Sequence, residues 1–303
     1  MNKDMLEILS KHEDKVTKYA DSISDIDEKE VALIIKEIGN IHTIKDSNIK
    51  DCLKTETIGK EIFYFKEVNS TNSVAKFLAK NGTDDGAVVL SEVQLNGKGR
   101  RGKKWESPSG GVWLSIILKP KISPSKASLI TLATGVVVAK TLKAMGVDAK
   151  IKWPNDILIN NKKVCGILTE AHANYKSVDY VIVGIGIDTN LNLDILPPII
   201  KEGTTSLKKE LKKDIDDNEI IYTFLNEFEL MYEKFQKEKF EDILNEWRLL
   251  TQTIGSYVEI KQPFGKILKG HAVGITNSGA LIIESENGEL TKVISGECAI
   301  KTN

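Results

Sequence analysis

Two periods of hydrophobic spacing share this chain. From about residue 60, short apolar runs dominate. Ile62–Phe65, Ala87–Leu90 and Val112–Leu118 are β-rich and predict strands. Between the first two, Val74, Phe77 and Leu78 follow Ser70-Thr71-Asn72, which predicts a cap and then a helix. Ser123 to Met145 reads as one long helix, with Pro124 in its first turn and Gly146 just past its end. Lys150–Trp153, Asp156–Ile159 and Val164–Glu170 predict strands, and Asn160-Asn161-Lys162 predicts a hairpin turn. Tyr180 to Ile187 reads as a buried strand ending in Gly-Ile-Gly. The helical period returns over residues 217–250 through Ile220, Ile221, Phe224, Phe228 and Met231. From Gly255 onward the text is short strands, with turns at Asn277-Ser278-Gly279 and Glu286-Asn287-Gly288. Residues 1–44 differ: Met5, Leu6, Ile8 and Leu9 start one helical pattern, Val31, Ile34, Ile35 and Ile38 form another, and Tyr19-Ala20-Asp21-Ser22-Ile23 allows a short helix between them. Three short helices there allow a helix-turn-helix-like unit.

The expected organisation is therefore a helical region 1–44, a large domain 45–254 and a small β-barrel-like domain 255–303. The strands after residue 150 are joined by hairpins rather than helices. The sheet is expected to be mixed and the class α+β, not doubly wound.

Composition narrows the function. The chain has 303 residues, 42 Lys+Arg against 43 Asp+Glu, and a net charge of -1. A chain so balanced carries no global field for nucleic acid, so any anion-binding patch is local. Three separated cysteines (Cys52, Cys165, Cys298) and four histidines without metal spacing argue against a disulfide framework or a zinc site. No unbroken apolar run reaches membrane-spanning length, and the acid-rich N-terminus does not read as a signal peptide. The expectation is a reduced, cytoplasmic protein that does not engage a membrane.

One segment departs locally from this balance. Gln94 to Lys104 holds five cations, three glycines and no acid. It matches Gly-x-Gly-x-x-Gly through Gly97, Gly99 and Gly102, and nearly matches a P-loop. Both readings fail on context: Lys104 stands where a P-loop needs Ser or Thr, and a strand follows where both motifs need a helix. A glycine-rich cationic loop still suits closure over an anionic ligand. The plainer alternative is a solvated basic loop. Trp105 beside the cations offers a ring for stacking.

Lys152-Trp153-Pro154-Asn155-Asp156 places Asn and Asp at a strand end, where Asp156 can hold Mg²⁺ or orient an amine, or serve only the turn. Lys163, across the expected hairpin, reaches the same place as a fixed positive charge. The small residues of Gly184-Ile185-Gly186, running into Asp188, let a flat ring or a phosphate approach the backbone.

These segments, in this order, resemble the biotin–protein ligases (biotin–acetyl-CoA-carboxylase ligases). The matching text is Asn69-Ser70-Thr71-Asn72, Gly97 to Trp105 with Ser107-Pro108 and Gly110-Gly111, Lys152 to Asp156, Lys163 with Gly166-Ile167-Leu168, and Gly184-Ile185-Gly186. The resemblance spans roughly residues 60–303. It implies a catalytic domain like the class II synthetase and lipoate ligase folds, an SH3-like C-terminal barrel and a homodimer. It implies that biotin and ATP, with Mg²⁺, give biotinyl-AMP, and that biotin then passes to a lysine of a biotin carboxyl carrier protein. Biotin would be bound by Ser70, Thr71, Asn72, Gln94, Gly97, Lys98, Gly99, Arg100, Lys163 and Gly166. The nucleotide would meet Arg100, Arg101, Trp105, Asn155, Lys163, Gly186 and Asp188. Lys163 and Arg100 would be the electrostatic catalysts, and Asp156 would hold Mg²⁺ or receive the acceptor lysine.

Two positions depart from the family pattern. Lys98 stands where an arginine is usual, which keeps the charge and loses the bidentate fork. Asp188 stands where an asparagine is usual. Some relatives repress biotin genes through an N-terminal helix-turn-helix. Here the expected reading helix opens Asp27-Glu28-Lys29-Glu30, acids that phosphates would repel, and DNA binding is not expected. The competing functions are a lipoate ligase of the same superfamily and a bifunctional ligase and repressor.

Overall fold

A computed structural model describes residues 47–301. The helix-turn-helix-like unit expected over residues 1–44 lies outside the described residues. The larger sheet comprises β1 (Ile62–Val68), β2 (Val88–Gln94), β3 (Val112–Leu118), β4 (Lys150–Lys152), β5 (Asp156–Ile159), β6 (Lys162–Ala173) and β7 (Val178–Ile187), in the spatial order β1-β2-β3-β7-β6-β5-β4. β1 and β2 are parallel, because α1 (Thr71–Lys80) carries the chain back between them. The remaining neighbours are antiparallel. The sheet is mixed and the class is α+β. β5 turns into β6 at Asn160 and Asn161, whose φ values of 50° and 63° are those of a tight hairpin turn and explain why asparagine sits at both positions.

The two faces of this sheet differ in chemistry. On β3, Leu114, Ile116 and Leu118 point into the main core. That core is closed by α2 (Ser128–Ala144), α3 (Asp217–Gln236) and α4 (Phe240–Leu250). On the opposite face, Phe65, Val89, Ile117 and Ile182 pack under Val74, Phe77 and Leu78 of α1. A strand alternates its side chains, so the opposite face also receives Ser115, Gly184 and Gly186. There the polar site is built.

Several expectations about elements need correction. The helix expected over Ser123 to Met145 begins with a separate 3₁₀ turn, Pro124–Lys126, before α2. With that turn, Pro124–Ala144 is long and apolar enough to cross a membrane, at a mean hydropathy of 1.4. Its polar residues interrupt every long apolar run, so counting runs missed it. It is mostly buried, as the core helix behind the sheet. The helical stretch 217–250 breaks into α3 and α4 around Glu238, whose φ is 54°. Ser70 stands at the N-cap of α1, but its side chain makes no capping hydrogen bond.

A second sheet comprises β8 (Tyr257–Lys261), β9 (Ile267–Ile275), β10 (Leu281–Glu284), β11 (Leu290–Val293) and β12 (Glu297–Ile300), in the order β11-β10-β9-β8-β12 with antiparallel neighbours. Its Val258, Ile260, Leu281 and Ile283 join the main core. The two sheets are also tied by polar contacts. The Trp153 indole N–H donates to the Gly279 carbonyl at 3.1 Å, and the Trp153 backbone N–H donates to Thr253 Oγ1 at 2.9 Å.

Candidate active site

The site begins at the N-terminus of α1. Ser70, Thr71 and Asn72 are all buried. Gln94, at the end of β2, accepts from the Thr71 backbone N–H at 2.9 Å and from its hydroxyl at 3.1 Å. The Gln94 amide donates to Ser107 Oγ at 2.8 Å. Ser115 reaches up from β3, with its hydroxyl 2.8 Å from Thr71 Oγ1 and 2.7 Å from Asn72 Oδ1. The Asn72 amide donates to Glu170 Oε2 of β6 at 2.7 Å. Thr71, Asn72, Gln94 and Ser115 are therefore each held by another polar group, which fixes their direction before any ligand arrives.

Glycine on the sheet makes room for this cluster. A Cβ at Gly184 would lie 2.1 Å from Asn72 Oδ1, and one at Gly186 would lie 2.4 Å from the Trp105 indole nitrogen. A Cβ at Gly166 would lie 2.9 Å from the same indole. The Trp105 ring thus lies against bare backbone of β6 and β7, with its N–H buried and without a partner. Trp113 meets it edge-on, at 6.4 Å between centroids and an interplanar angle of 76°. The Lys163 ammonium stands over its face, 4.8 Å from the centroid.

The cationic loop is folded, not splayed into solvent. The Trp105 backbone N–H donates to Gly97 O at 2.8 Å and the Gly99 backbone N–H to Lys103 O at 2.7 Å. Arg101 adopts φ 59° and Gly102 φ 73°, which closes the tip. The Arg100 guanidinium turns inward, donating to Asn155 Oδ1 at 2.7 Å and to Gly296 O at 3.2 Å. Burial and the neighbouring Arg101 pull its pKa down, partly offset by Asp156 and Glu297. Lys98 reaches Ser73 Oγ at 2.7 Å, on the flank of α1.

Asp156 is clamped between two ammonium groups, Lys163 at 2.5 Å and Lys152 at 2.9 Å. Burial pushes its carboxyl up, but the two lysines outweigh burial and hold it below the usual carboxylate range. Both carboxylate oxygens are engaged, so Asp156 does not fit the metal-ligand role expected for it. Among the described residues no group of three or more His, Cys, Asp or Glu stands together. Asp188 is buried against the same region, and burial raises its carboxyl well above the usual range, opposed only by Lys163.

Two adjoining cavities result, of about 60 and about 380 Å³. The smaller is lined by Ser70, Thr71, Asn72, Gln94, Lys98, Gly166, Gly184 and Gly186. The larger is lined by Lys152, Asp156, Asp188, Leu191, Leu196, Ile200 and Glu297 among others. Gly99, Arg100, Trp105, Asn155 and Lys163 line both, forming one shared wall.

Three expected contacts fall elsewhere. Arg101 lines neither cavity and donates to Lys261 O at 3.1 Å, on the second sheet. Gly97 lines neither, because Trp105 O and Ser107 Oγ press on it so closely that a Cβ would lie 2.4 Å and 2.6 Å from them. Gly186, expected beside the nucleotide, lines the smaller cavity. Sequence reasoning missed Ser115, Ser107, Glu170 and the second-sheet contacts. A lone serine in the otherwise apolar Val112–Leu118 run was a usable signal for Ser115. Nothing local marks Glu170 or Gly296, whose partners are distant in sequence.

Residues 64–188 match the model of the biotin/lipoate A/B protein ligase family, and residues 253–301 match the biotin protein ligase C terminal domain. A bifunctional ligase/repressor, BirA of Bacillus spizizenii, is 36% identical over 266 residues, covering 87% of this chain and 80% of its own. A biotin–[acetyl-CoA-carboxylase] ligase of Paracoccus denitrificans is 30% identical over 230 residues, covering 73% of this chain and 92% of its own. A solved biotin protein ligase from Aquifex aeolicus, in complex with biotin and ATP, superposes with a TM-score of 0.69 at 29% identity, covering 80% of this chain and 100% of that one. With both family models matched in order over the two sheets, this chain belongs to the biotin/lipoate A/B protein ligase family, among the biotin protein ligases.

Proposed function

We propose that this protein activates biotin with ATP to biotinyl-AMP and then transfers biotin to a lysine of a biotin carboxyl carrier protein. The observation that carries the reading is the shared wall. A carboxylate in the smaller cavity and a triphosphate in the larger one would meet at Arg100, Lys163 and Asn155, which line both. Two anions repel, and fixed cations in a partly buried wall offset that repulsion most where charge builds during attack. The carboxylate oxygen of biotin attacks the α-phosphorus, the bond to the bridging oxygen breaks, and pyrophosphate leaves. The acceptor amine then attacks the acyl carbon, and AMP leaves.

The chain's own residues would act by position. Thr71, Asn72 and Gln94 present fixed donors and acceptors in the smaller cavity, with Ser115 holding Thr71 and Asn72 from below. Arg100 and Lys163 hold the reacting anions together, and the folded loop over Trp105 keeps water from the mixed anhydride. Asp156 anchors Lys163 at 2.5 Å and so aims its ammonium at the wall. Magnesium would travel with ATP, because Lys152 and Lys163 already occupy both carboxylate oxygens of Asp156.

The test is biotin-dependent exchange of pyrophosphate into ATP, with lipoate as the control acid. Exchange with biotin and none with lipoate is the expected result. Exchange driven by lipoate, or by neither acid in the folded protein, removes the proposal.

The name of the Bacillus spizizenii relative favours a second reading, with repression added to ligation. Against it stands the acidic opening of the expected reading helix. A gel shift at low salt with residues 1–44 present separates the two, and no shift is expected.

A further inference from the structure

Asn72 stands in the first turn of α1, buried, directly over Gly184 of β7. Gly184 pairs with Ser115 of β3 on one side and with Leu168 of β6 on the other. Glu170 is the next residue of β6 on the face that carries Leu168. The Asn72 amide is therefore set between two strands. Its nitrogen donates to Glu170 Oε2 at 2.7 Å and to Leu168 O at 3.4 Å. Its oxygen accepts from the Ser115 hydroxyl at 2.7 Å. Asn72 lines the smaller cavity, whereas Glu170, half-buried behind it, lines neither cavity of the site.

A carboxamide has two N–H donors and, on its oxygen, two lone pairs. Here both donors are spent on the protein, one on Glu170 and one on Leu168. One lone pair is spent on Ser115, whose single hydrogen goes to an oxygen that can only accept. What Asn72 keeps for a ligand is the second lone pair, an acceptor. The reverse orientation is blocked. It would set the amide oxygen against the Glu170 carboxylate and the Leu168 carbonyl, acceptor against acceptor on both sides. Of these two contacts the one to Glu170 is shorter and charge-assisted, so it decides the orientation. A carboxylate outside the cavity thus sets the hydrogen-bond polarity of a residue that lines it.

We propose that Glu170 is a positioning residue: it locks the Asn72 amide so that Asn72 offers an acceptor, and the smaller cavity thereby selects a head group that brings an N–H donor. The proposal rests on the reading that this cavity takes biotin. The cyclic urea of biotin carries N–H groups, and the dithiolane ring of lipoate carries none. Without Glu170 the amide is free to turn, and only one of its two orientations still suits a donor. The apparent dissociation constant then rises as the competent fraction falls. Glu170 never touches the ligand and acts only through Asn72.

Calorimetric titration of the full chain with biotin, without nucleotide, tests this. Glu170→Gln keeps an acceptor oxygen at the same reach and loses the charge. Glu170→Asp keeps the charge and is one methylene too short. Glu170→Asp and Glu170→Ala are expected to raise the biotin dissociation constant by about three- to tenfold, up to the factor for one lost hydrogen bond. Glu170→Gln is expected to restore binding to within about twofold of the native protein, a rescue that general loosening of the fold would not produce. In an Asn72→Ala background, Glu170→Ala is expected to add nothing. Cooperative denaturant transitions identify the folded variants. If Glu170→Ala fails to fold, or Asn72→Ala binds too weakly to measure, the Asp and Gln pair decides. Weak binding by Glu170→Gln with native binding by Glu170→Asp makes charge rather than contact responsible and overturns the proposal. So does a further loss when Glu170→Ala is added to Asn72→Ala. A native protein that binds no biotin overturns the proposed function and this inference together. Biotin-dependent exchange in the native protein, with unchanged biotin affinity in Glu170→Asp, overturns this inference alone.

Discussion

At Gly184 a single hydrogen in place of a methyl group decides whether Asn72 can lie on the sheet. An alanine there would put its Cβ 2.1 Å from Asn72 Oδ1 and force the amide away from Glu170 and Ser115. Gly184→Ala is expected to fold and to raise the biotin KM by at least about tenfold, the equivalent of one to two hydrogen bonds, with ATP binding less affected. Steady-state exchange kinetics with each substrate varied in turn measure this. Lys163→Ala removes the cation common to both cavities and is expected to lower exchange by about 10²–10³-fold, as for loss of one fixed donor at a charged transition state. The two buried carboxyls act oppositely on stability. The pKa of Asp156 is held down in the folded chain, so its contribution is present above the ordinary carboxylate pKa and fades as pH falls through the lowered one. The pKa of Asp188 is raised, so the folded chain loses stability as pH climbs from the ordinary 3.8 toward the raised value. Denaturant midpoints of Asp188→Asn should therefore gain on the native protein as pH rises across that interval.

The elements were legible in the sequence wherever the period was long or the turn chemistry local. The run Val112–Leu118 is β3 to the residue, and Asn160-Asn161 marks the hairpin that both asparagines form with positive φ. The three segments Ser70–Asn72, Gly97–Trp105 and Lys152–Asp156 meet at one site because each sits at the end of an element on one face of the sheet. What stayed hidden depends on partners far away in the chain. Glu229 of α3 is the clearest case. Its carboxylate accepts from the backbone N–H of Glu56, Thr57 and Ile58, the last at 2.7 Å, and so pins the segment leading into β1. No periodicity distinguishes that glutamate from its solvent-facing neighbours. Glu229→Ala would leave three backbone donors without their acceptor and is expected to cost about 1–3 kcal/mol or more. A lowered denaturant midpoint with an unchanged slope, and exchange activity retained at low temperature, would establish a structural role.

Across the whole molecule, the cationic loop and the second sheet form one assembly. Arg100 donates to Gly296 O, Arg101 to Lys261 O, and Lys103 pairs with Glu297 at 2.9 Å. The last pair is exposed on both sides, and pairs of this kind contribute about 0–1 kcal/mol. Lys103→Ala alone is therefore expected to change exchange by less than about threefold. Removing residues 255–303 strips all three contacts and exposes the core shared by both sheets, and is expected to abolish exchange together with cooperative unfolding. Circular dichroism melts read the second effect separately from the first.

The tie between Arg100 and Gly296 spans 196 positions of the chain. A ribosome moving at about 5–20 residues per second needs about 10–40 s to cover that distance. Throughout that interval the loop exists but its far anchor has not been made. A nascent chain thus carries every residue of the shared wall while lacking the brace that holds Arg100 against it. Competence to make and guard a reactive anhydride therefore comes late in synthesis, only once the second sheet has joined the shared core.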